Sequence, residues 1–254
     1  MKFVLSLILI FFYTVETYSR EAGQTEITAD EGLEVFQDEK YYLLKKNVKI
    51  ESDNFVLLGD LIKIYFENDL YDIKVIDATG NVKLNSNLQS IVALGNKIYF
   101  VVDEEEITIN GLNSQLITDN LKMLSNNEIQ VNNLNGYFSL FGDKSSLESD
   151  DIIVKGNKID GFFLPNSNIN EILHLNVEDK NIAYVNSDNT EMYANKIKYN
   201  KETGVIELEQ NVKIIDEGEE ITGDFGFINT QTNSYKINSK NSNRVKVIIS
   251  DSNE

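Results

Sequence analysis

The chain has 254 residues, no cysteine, one histidine, and 41 acidic against 23 basic side chains, so its formal net charge is −18 at pH 7. This acidity argues against a nucleic-acid-binding protein, which needs cations to displace counterions from phosphate, and against passive adhesion to anionic lipid. Without cysteine the fold depends on apolar burial and backbone pairing in any compartment, and 41% hydrophobic residues make that feasible.

The first 19 residues have the features of an export signal. Lys2 precedes an apolar run over residues 3–13, and the small residues Thr17 and Ser19 mark a candidate cleavage site. The run is shorter than the roughly 20 residues that a membrane-spanning helix needs. We therefore predict a cleaved signal peptide at residues 1–19 and an exported chain of residues 20–254, with a retained membrane anchor as the alternative.

The exported chain alternates apolar and polar residues with a period of two, which is typical of β-strands with one buried face. Turn-forming residues separate the alternating segments, and no segment keeps a helical period for more than two turns. Residues 114–123 would admit one short helix, although a strand pair fits their surroundings better. The pattern predicts an all-β protein and is clearest at residues 47–50, 62–66, 197–199, 205–208 and 245–249.

One series of short motifs occurs twice, at residues 29–60 and 194–224. Each copy opens with an alanine followed by Asp30 or Asn195. The identical sequence Asn-Val-Lys-Ile and then Gly-Asp follow, at residues 47–50 and 59–60 in the first copy and at 211–214 and 223–224 in the second. A looser copy lies at residues 80–84 and 95–96. Recurring strand-like motifs indicate stacked β units, each burying its apolar edge against its neighbours.

In this order, and with alternating segments at residues 27–30 and 244–248, the motifs resemble the organic-solvent-tolerance (OstA-like) family of lipopolysaccharide transport proteins. The resemblance implies an open, twisted β-jelly-roll, in which V-shaped, stacked antiparallel strands enclose an apolar groove for lipopolysaccharide acyl chains. It also implies a periplasmic protein that bridges the inner and outer membranes. It is clearest over residues 25–66 and 190–250, whereas residues 100–190 lack the paired motifs and are expected to add extra rungs or an insertion.

The resemblance further implies partners with similar β-jelly-roll domains in inner- and outer-membrane transport proteins. An open roll leaves one unpaired strand at each end, here around residues 27–29 and 245–249. Unlike edges of two copies can pair without closing a ring, so we expect a head-to-tail homo-oligomer. We expect no nucleic-acid partner.

An open rolled sheet can accept acyl chains where a closed sandwich would place a second layer of side chains. Each buried methylene contributes about 0.8 kcal/mol, so several chains bind firmly without a charged site. Alternating Val and Ile residues are equally typical of ordinary core packing, and the family resemblance is what favours a groove. The candidates for the lipid-facing surface are Ile27, Val48, Ile50, Ile62, Ile64, Val212, Ile214, Ile221 and Val247.

The sequence offers little for catalysis or metal binding. His174 is the only histidine, so any Ser-His-Asp triad or multi-histidine metal site would depend on it, and no serine lies in a glycine elbow. The acidic runs at residues 103–106, 150–151 and 217–220 fall at expected turns and lack the spacing of a calcium-binding loop. We therefore predict no enzymatic activity, no metal and no cofactor.

Two alternatives to the soluble carrier remain. One is a bitopic partner of the same transport system whose N-terminal segment stays in the inner membrane. The other is a surface sugar-binding β-solenoid, which is disfavoured because the chain has no tryptophan to stack on sugars. The net charge of −18 also conflicts with a phosphorylated lipid, and Lys45, Lys46 and Lys49 are the bases expected to offset it locally.

Overall fold

The computed structural model describes residues 22–68, 72–86, 90–149, 152–165, 171–187, 190–216, 218–232, 234–240 and 244–249. The predicted signal peptide, residues 1–19, lies outside the described residues. Within these ranges every regular element is a β-strand, and none is a helix with the length and apolar character of a membrane span.

Eighteen strands of the described residues join into one antiparallel sheet. In chain order they are β1 (Glu26–Thr28), β2 (Leu33–Phe36), β3 (Tyr41–Glu51), β4 (Phe55–Phe66), β5 (Ile73–Ser86), β6 (Ile91–Val101), β7 (Glu106–Asn110), β8 (Ser114–Ile117), β9 (Leu121–Ser125), β10 (Glu128–Asn132), β11 (Tyr137–Ser149), β12 (Ile152–Phe163), β13 (Ile172–Ser187), β14 (Thr190–Asn200), β15 (Val205–Asp216), β16 (Glu219–Asn229), β17 (Ser234–Asn238) and β18 (Lys246–Ile249).

Strand follows strand as an antiparallel meander, so almost every connection is a hairpin. The predicted all-β fold of stacked antiparallel strands is confirmed. Residues 114–123 form the strand pair β8 and β9 rather than a helix. The interval without the repeated motifs, residues 100–190, contributes β7 to β13 to the same sheet.

Bends near the middle of the long strands divide this sheet into two walls. The pairing register shifts between Lys45 and Val48 of β3 and again between Glu209 and Val212 of β15, and comparable shifts recur in the strands between them. Such β-bulges bend a strand and re-aim the half that follows. Wall A consists of β2, β7, β10, β17 and the halves of the long strands paired with them. Wall B consists of β1, β8, β9, β18 and the other halves.

The corner between the walls is rich in residues with left-handed backbone conformations. Asn47, Asn81 and Asn211 have φ values of 48°, 47° and 55°, which asparagine tolerates better than most residues. Their side chains also connect neighbouring strands, as when Asn81 Nδ2 donates to Asp60 Oδ2 at 3.3 Å. Glycine is required beside such a bond, because a Cβ on Gly80, which has φ of 83°, would overlap the Asp60 carboxylate. The Asn and Gly-Asp motifs of the sequence therefore mark the corner.

The alternating apolar residues of both walls point inward and form one continuous cluster, whose buried members extend from β3 to β15. Residues of opposite walls meet close to the corner, where a Cβ on Gly156 of wall B would lie 2.8 Å from Val177 Cγ1 of wall A. The folded-over sheet thus supplies both layers of its own core, which is how a single meander buries its apolar face.

Both ends of the roll finish in short strands. β1 and β2 pair only with β3, and β17 and β18 pair only with β16, among the residues that the structure describes. Their outer edges therefore carry free backbone donors and acceptors.

Candidate functional site

The space between the two walls, which we call the lumen, is lined by most of the residues that the sequence singled out. Seven of the nine candidates have exposed fractions between 0% and 6% and point into the lumen; they are Val48, Ile50, Ile62, Ile64, Val212, Ile214 and Ile221. Val48 and Ile62 lie next to the corner, and Ile50 and Ile64 lie one step further from it. Their burial is a property of the structure, and their contact with lipid stays a prediction.

The remaining two candidates lie at the ends of the roll. Ile27 of β1 is paired with Ile50 and is half-buried against the core. Val247 of β18 is paired with Ile221 and is 52% exposed. Each points to the lumen side, but only Ile27 has neighbours that cover it. The last two strands, β17 and β18, thus leave apolar side chains exposed at this end of the lumen.

The lumen keeps an apolar character even where polar residues enter it. Ser114, Ser125 and Ser145 are buried beside the corner, and each hydroxyl is hydrogen-bonded. Ser125 Oγ donates to Phe141 O at 2.8 Å, and Ser145 Oγ donates to Gly142 O at 2.8 Å. Because these serines satisfy carbonyl groups of the bent strands, they offer no free polar group to a ligand.

A second row of lumen residues was missed by the sequence prediction. We call it the rim; it is the inner-face row nearest to the hairpin turns and includes Phe55, Ile91 and Ile152 of wall B and Tyr199 and Ile228 of wall A, all half-buried against the core. Burial raises the pKa of the Tyr199 phenol. Each of these residues continues the period of two to the strand end, which is the signal that could have identified them.

The walls are packed against each other rather than separated by an empty groove. Ile62 is fully buried and Val48 is 1% exposed, so an acyl chain can reach them only if the two walls move apart. The rim, opposite the corner, is the side from which such a movement would admit a chain.

The three lysines expected to offset the acidity do not supply free cations. Lys45 Nζ lies 2.6 Å from Glu34 Oε1, and Lys46 Nζ lies 3.5 Å from Glu31 Oε1. Lys49 pairs with Glu51, and this contact raises the pKa of the Lys49 ammonium. Each of these bases is therefore neutralised by a glutamate beside it.

His174 lies outside the lumen, on the exposed face of wall A. Its ring meets the edge of Phe162 with a centroid separation of 6.4 Å. No group of three His, Cys, Asp or Glu side chains within the described ranges is arranged to hold a metal ion.

These observations define a class of structure: a single antiparallel sheet folded over a continuous apolar lumen, with a bulged corner, an apolar rim and two ends that are unpaired within the described ranges. No protein-family model matches the chain, and no curated protein matches it. A match among solved structures is LptH of Pseudomonas aeruginosa, described as the LptA homologous periplasmic component of the lipopolysaccharide transport device. It is 11% identical, aligns over 89% of this chain and 95% of LptH, and has a TM-score of 0.23. A TM-score this low carries no argument, so the fold assignment rests on the strand register described above.

Proposed function

We propose that the protein is a periplasmic, non-enzymatic lipopolysaccharide-binding protein that carries acyl chains in its lumen and bridges the inner and outer membranes. The observation that carries this proposal is the continuity of the lumen. One continuous apolar cluster lines it from β3 to β15, and both ends of the roll are left unpaired among the described residues. The OstA-like motifs of the sequence support the same assignment.

Acyl chains suit this lumen for an energetic reason. Each methylene transferred from water contributes about 0.8 kcal/mol, so a lipid with several chains gains enough to separate the walls and replace some of their contacts with its own. The corner keeps the walls connected during this exchange, because its hydrogen bonds run between neighbouring strands and not across the lumen.

We further propose that residues 20–254 form one OstA-like β-jelly-roll domain behind a signal peptide at residues 1–19. The strands β7 to β13 support extra rungs in place of an inward-folding insertion, because they continue the meander without leaving the sheet. The lumen is correspondingly long, which suits a protein that must span part of the distance between two membranes.

The two ends are proposed as docking edges. At the first end Leu33 and Val35 are 51% and 44% exposed, and at the last end Val247 and Ile249 are 52% and 70% exposed. Each set combines an unpaired strand edge with an uncovered part of the lumen. Pairing unlike ends, with a second copy or with a similar domain in a membrane protein, would cover both and would join two lumens into one apolar track.

The proposal is tested by lipid analysis of the exported protein. Purified protein should release an acylated, phosphorylated lipid on extraction, detected by mass spectrometry. Replacing Tyr199 of the rim with Asp should lower the lipid content several-fold, because a carboxylate at the entry opposes apolar chains. Tyr99→Asp is the matched control on the exposed face of wall A. Lipid-free wild-type protein would reject the carrier function, and equal lipid in the two folded variants would reject the rim as the entry.

The alternative of a membrane-anchored partner rests on the apolar residues 3–13. N-terminal sequencing of the exported protein separates the two proposals. A start near Arg20 supports the free carrier, and recovery of Met1 in the membrane fraction supports the anchored partner.

A further inference from the structure

The outer surface of wall B between β4 and β9 differs from the rest of the exterior. In an antiparallel sheet with one solvated face, the outward positions are normally polar. On five adjacent strands here, six outward residues are aliphatic and half-buried: Val56, Leu58, Val92, Leu94, Ile117 and Leu124. The other four outward residues are Lys83, Asn85, Gln115 and Lys122. We call these ten residues the Lys83 face.

The Lys83 face contains no carboxylate, although the chain has 41 acidic residues. Acidic residues lie at its borders. Glu51 of β3 is the cross-strand partner of Val56, and Glu148 of β11 is the cross-strand partner of Lys122. Glu51 is already engaged by Lys49. Among the residues that the structure describes, neither Lys83 nor Lys122 forms an ion pair, so both ammonium groups are available to an anion.

A depression of about 540 Å³ opens at one margin of the Lys83 face, lined by Lys83, Asn85, Ser86, Ser90, Ile91 and Val92. Its volume lies in the range of small-ligand sites. Asn85 Oδ1 has no hydrogen-bond partner in the described residues, so a rotation of the amide would present an unsatisfied group to the depression. Ile91 is also a rim residue of the lumen, and the depression therefore connects the Lys83 face with the entry to the lumen.

We propose that the Lys83 face is the loading site at which an anionic amphiphile first binds. Its phosphate meets the Lys83 ammonium in the depression, its hydroxyl groups reach Asn85 and the serines, and its chains lie on the aliphatic residues before passing Ile91 into the lumen. A protein partner fits this surface less well than an amphiphile does. An amphiphile carries on one molecule an acyl chain, which matches the half-buried aliphatic residues, and a phosphate, which matches the unpaired lysines. This inference rests on the proposed carrier function and assigns it an entry point. It also accounts for how a chain of net charge −18 can accept a phosphorylated lipid, since this face carries two lysines and no carboxylate.

The probe for this site is dihexanoyl phosphatidic acid, which is short enough to stay monomeric in solution. Titration into the exported protein should produce saturable NMR shifts at residues 83–86 and 90–94. Lys83→Gln should weaken binding about tenfold, as expected for the loss of one charge-assisted contact. Lys236→Gln, an exposed lysine on wall A, is the matched control and should leave the affinity unchanged.

Two comparison ligands identify the chemistry. Dihexanoyl phosphatidylcholine should bind more weakly than the phosphatidic acid, and inorganic phosphate alone should produce no saturable shift. Equal binding by inorganic phosphate would overturn the amphiphile assignment, and an unchanged affinity in Lys83→Gln would overturn the site. Loss of the same signals on self-association without any probe would show that the face binds a second copy, which would also overturn the proposal.

The lipid content of the purified protein separates this inference from the carrier function. If lipid is present in the lumen but the probe does not shift the signals of residues 83–86 and 90–94, the loading site is wrong and the carrier function stands. If the probe binds as expected but the exported protein never contains lipid, the binding site is supported and the carrier function is rejected.

Discussion

Asn211 Nδ2 donates a hydrogen bond to Asn195 Oδ1 at 2.6 Å, and Asn47 Nδ2 donates the equivalent bond to Asp30 Oδ2 at 2.7 Å. These four residues are the matching positions of the two sequence copies. The alanine-preceded residue of each copy accepts from the asparagine of its Asn-Val-Lys-Ile motif. The repeat therefore encodes a corner contact, made between β14 and β15 in the second copy and between β3 and the turn after β1 in the first, and the valine and isoleucine that follow it are directed into the lumen.

We expect this corner contact to contribute measurably to stability. Asn211→Ala removes the hydrogen bond and replaces asparagine, which tolerates the left-handed φ of 55°, with alanine, which tolerates it less well, so it should lower the free energy of unfolding by about 2–3 kcal/mol. Asn211→Gly loses only the bond and should cost about 1 kcal/mol. Urea denaturation with an unchanged m-value measures both. Equal losses in the two variants would show that backbone conformation plays no part.

The ion cluster around Lys74 should make stability depend on pH at both extremes. Lys74 Nζ lies 3.1 Å from Glu67, 3.2 Å from Asp72 and 3.1 Å from Asp103. Hydrogen bonding to Glu67, Asp103 and Asp72 raises the pKa of the lysine, and hydrogen bonding to Lys74 and Asn68 lowers the pKa of Asp72. The lysine's contribution is present below its unfolded pKa and is lost as pH rises through its higher folded pKa. The contribution of Asp72 is present above its unfolded pKa and is lost as pH falls through its lower folded pKa.

Lys74→Met should remove this coupling, and the pKa of Asp72 measured by NMR titration should rise. Lys83→Met is the control, since Lys83 has no ion pair in the described part of the chain. High salt should reduce the difference between wild type and Lys74→Met, because the cluster is at the surface. An unchanged Asp72 titration in Lys74→Met would contradict the assigned cause.

Alanine substitutions at equivalent lumen positions should lower the free energy of unfolding by different amounts, depending on how far each side chain is buried. Ile214 is 2% exposed and Val247 is 52% exposed, and both point to the lumen side of wall B. Ile214→Ala should lower the free energy of unfolding by about 2–5 kcal/mol through lost burial and a residual cavity. Val247→Ala should change it by less than about 0.5 kcal/mol. Guanidinium denaturation of both variants provides the comparison, and similar losses would mean that Val247 is covered in solution.

The exposed lumen residues at the last end should promote self-association. Ile249→Lys places a charge on an uncovered apolar end and should shift the protein towards monomer in light scattering over a series of concentrations. Ile182→Lys is the control, because Ile182 is 41% exposed but lies at the corner. If Ile182→Lys dissociates the oligomer and Ile249→Lys does not, the corner surface and not the end is the docking site.

Much of the wall structure could be predicted from the sequence because strand geometry alone decides the side on which a residue lies. Ile62 and Ile64 alternate with polar neighbours and point inward together, as a period of two requires. The rim residue Tyr199 obeys the same rule, because it lies two residues after the buried Ile197 and continues its inward face. The sequence could not show that Lys45 and Lys46 form ion pairs, because their partners Glu34 and Glu31 lie more than ten residues earlier in the chain and are brought beside them by the fold.

The sequence by itself determined the strands, their inward faces and the corner positions, because these depend on local periodicity and on the conformations that asparagine and glycine accept. Only the tertiary structure decided which inward residues are covered. Ile221 and Val247 are paired and lie on the same face, yet one is buried and the other is half exposed, because no further strand of the described residues pairs with β18. Burial is set by the neighbouring rungs and the opposite wall, and those contacts come from distant parts of the chain.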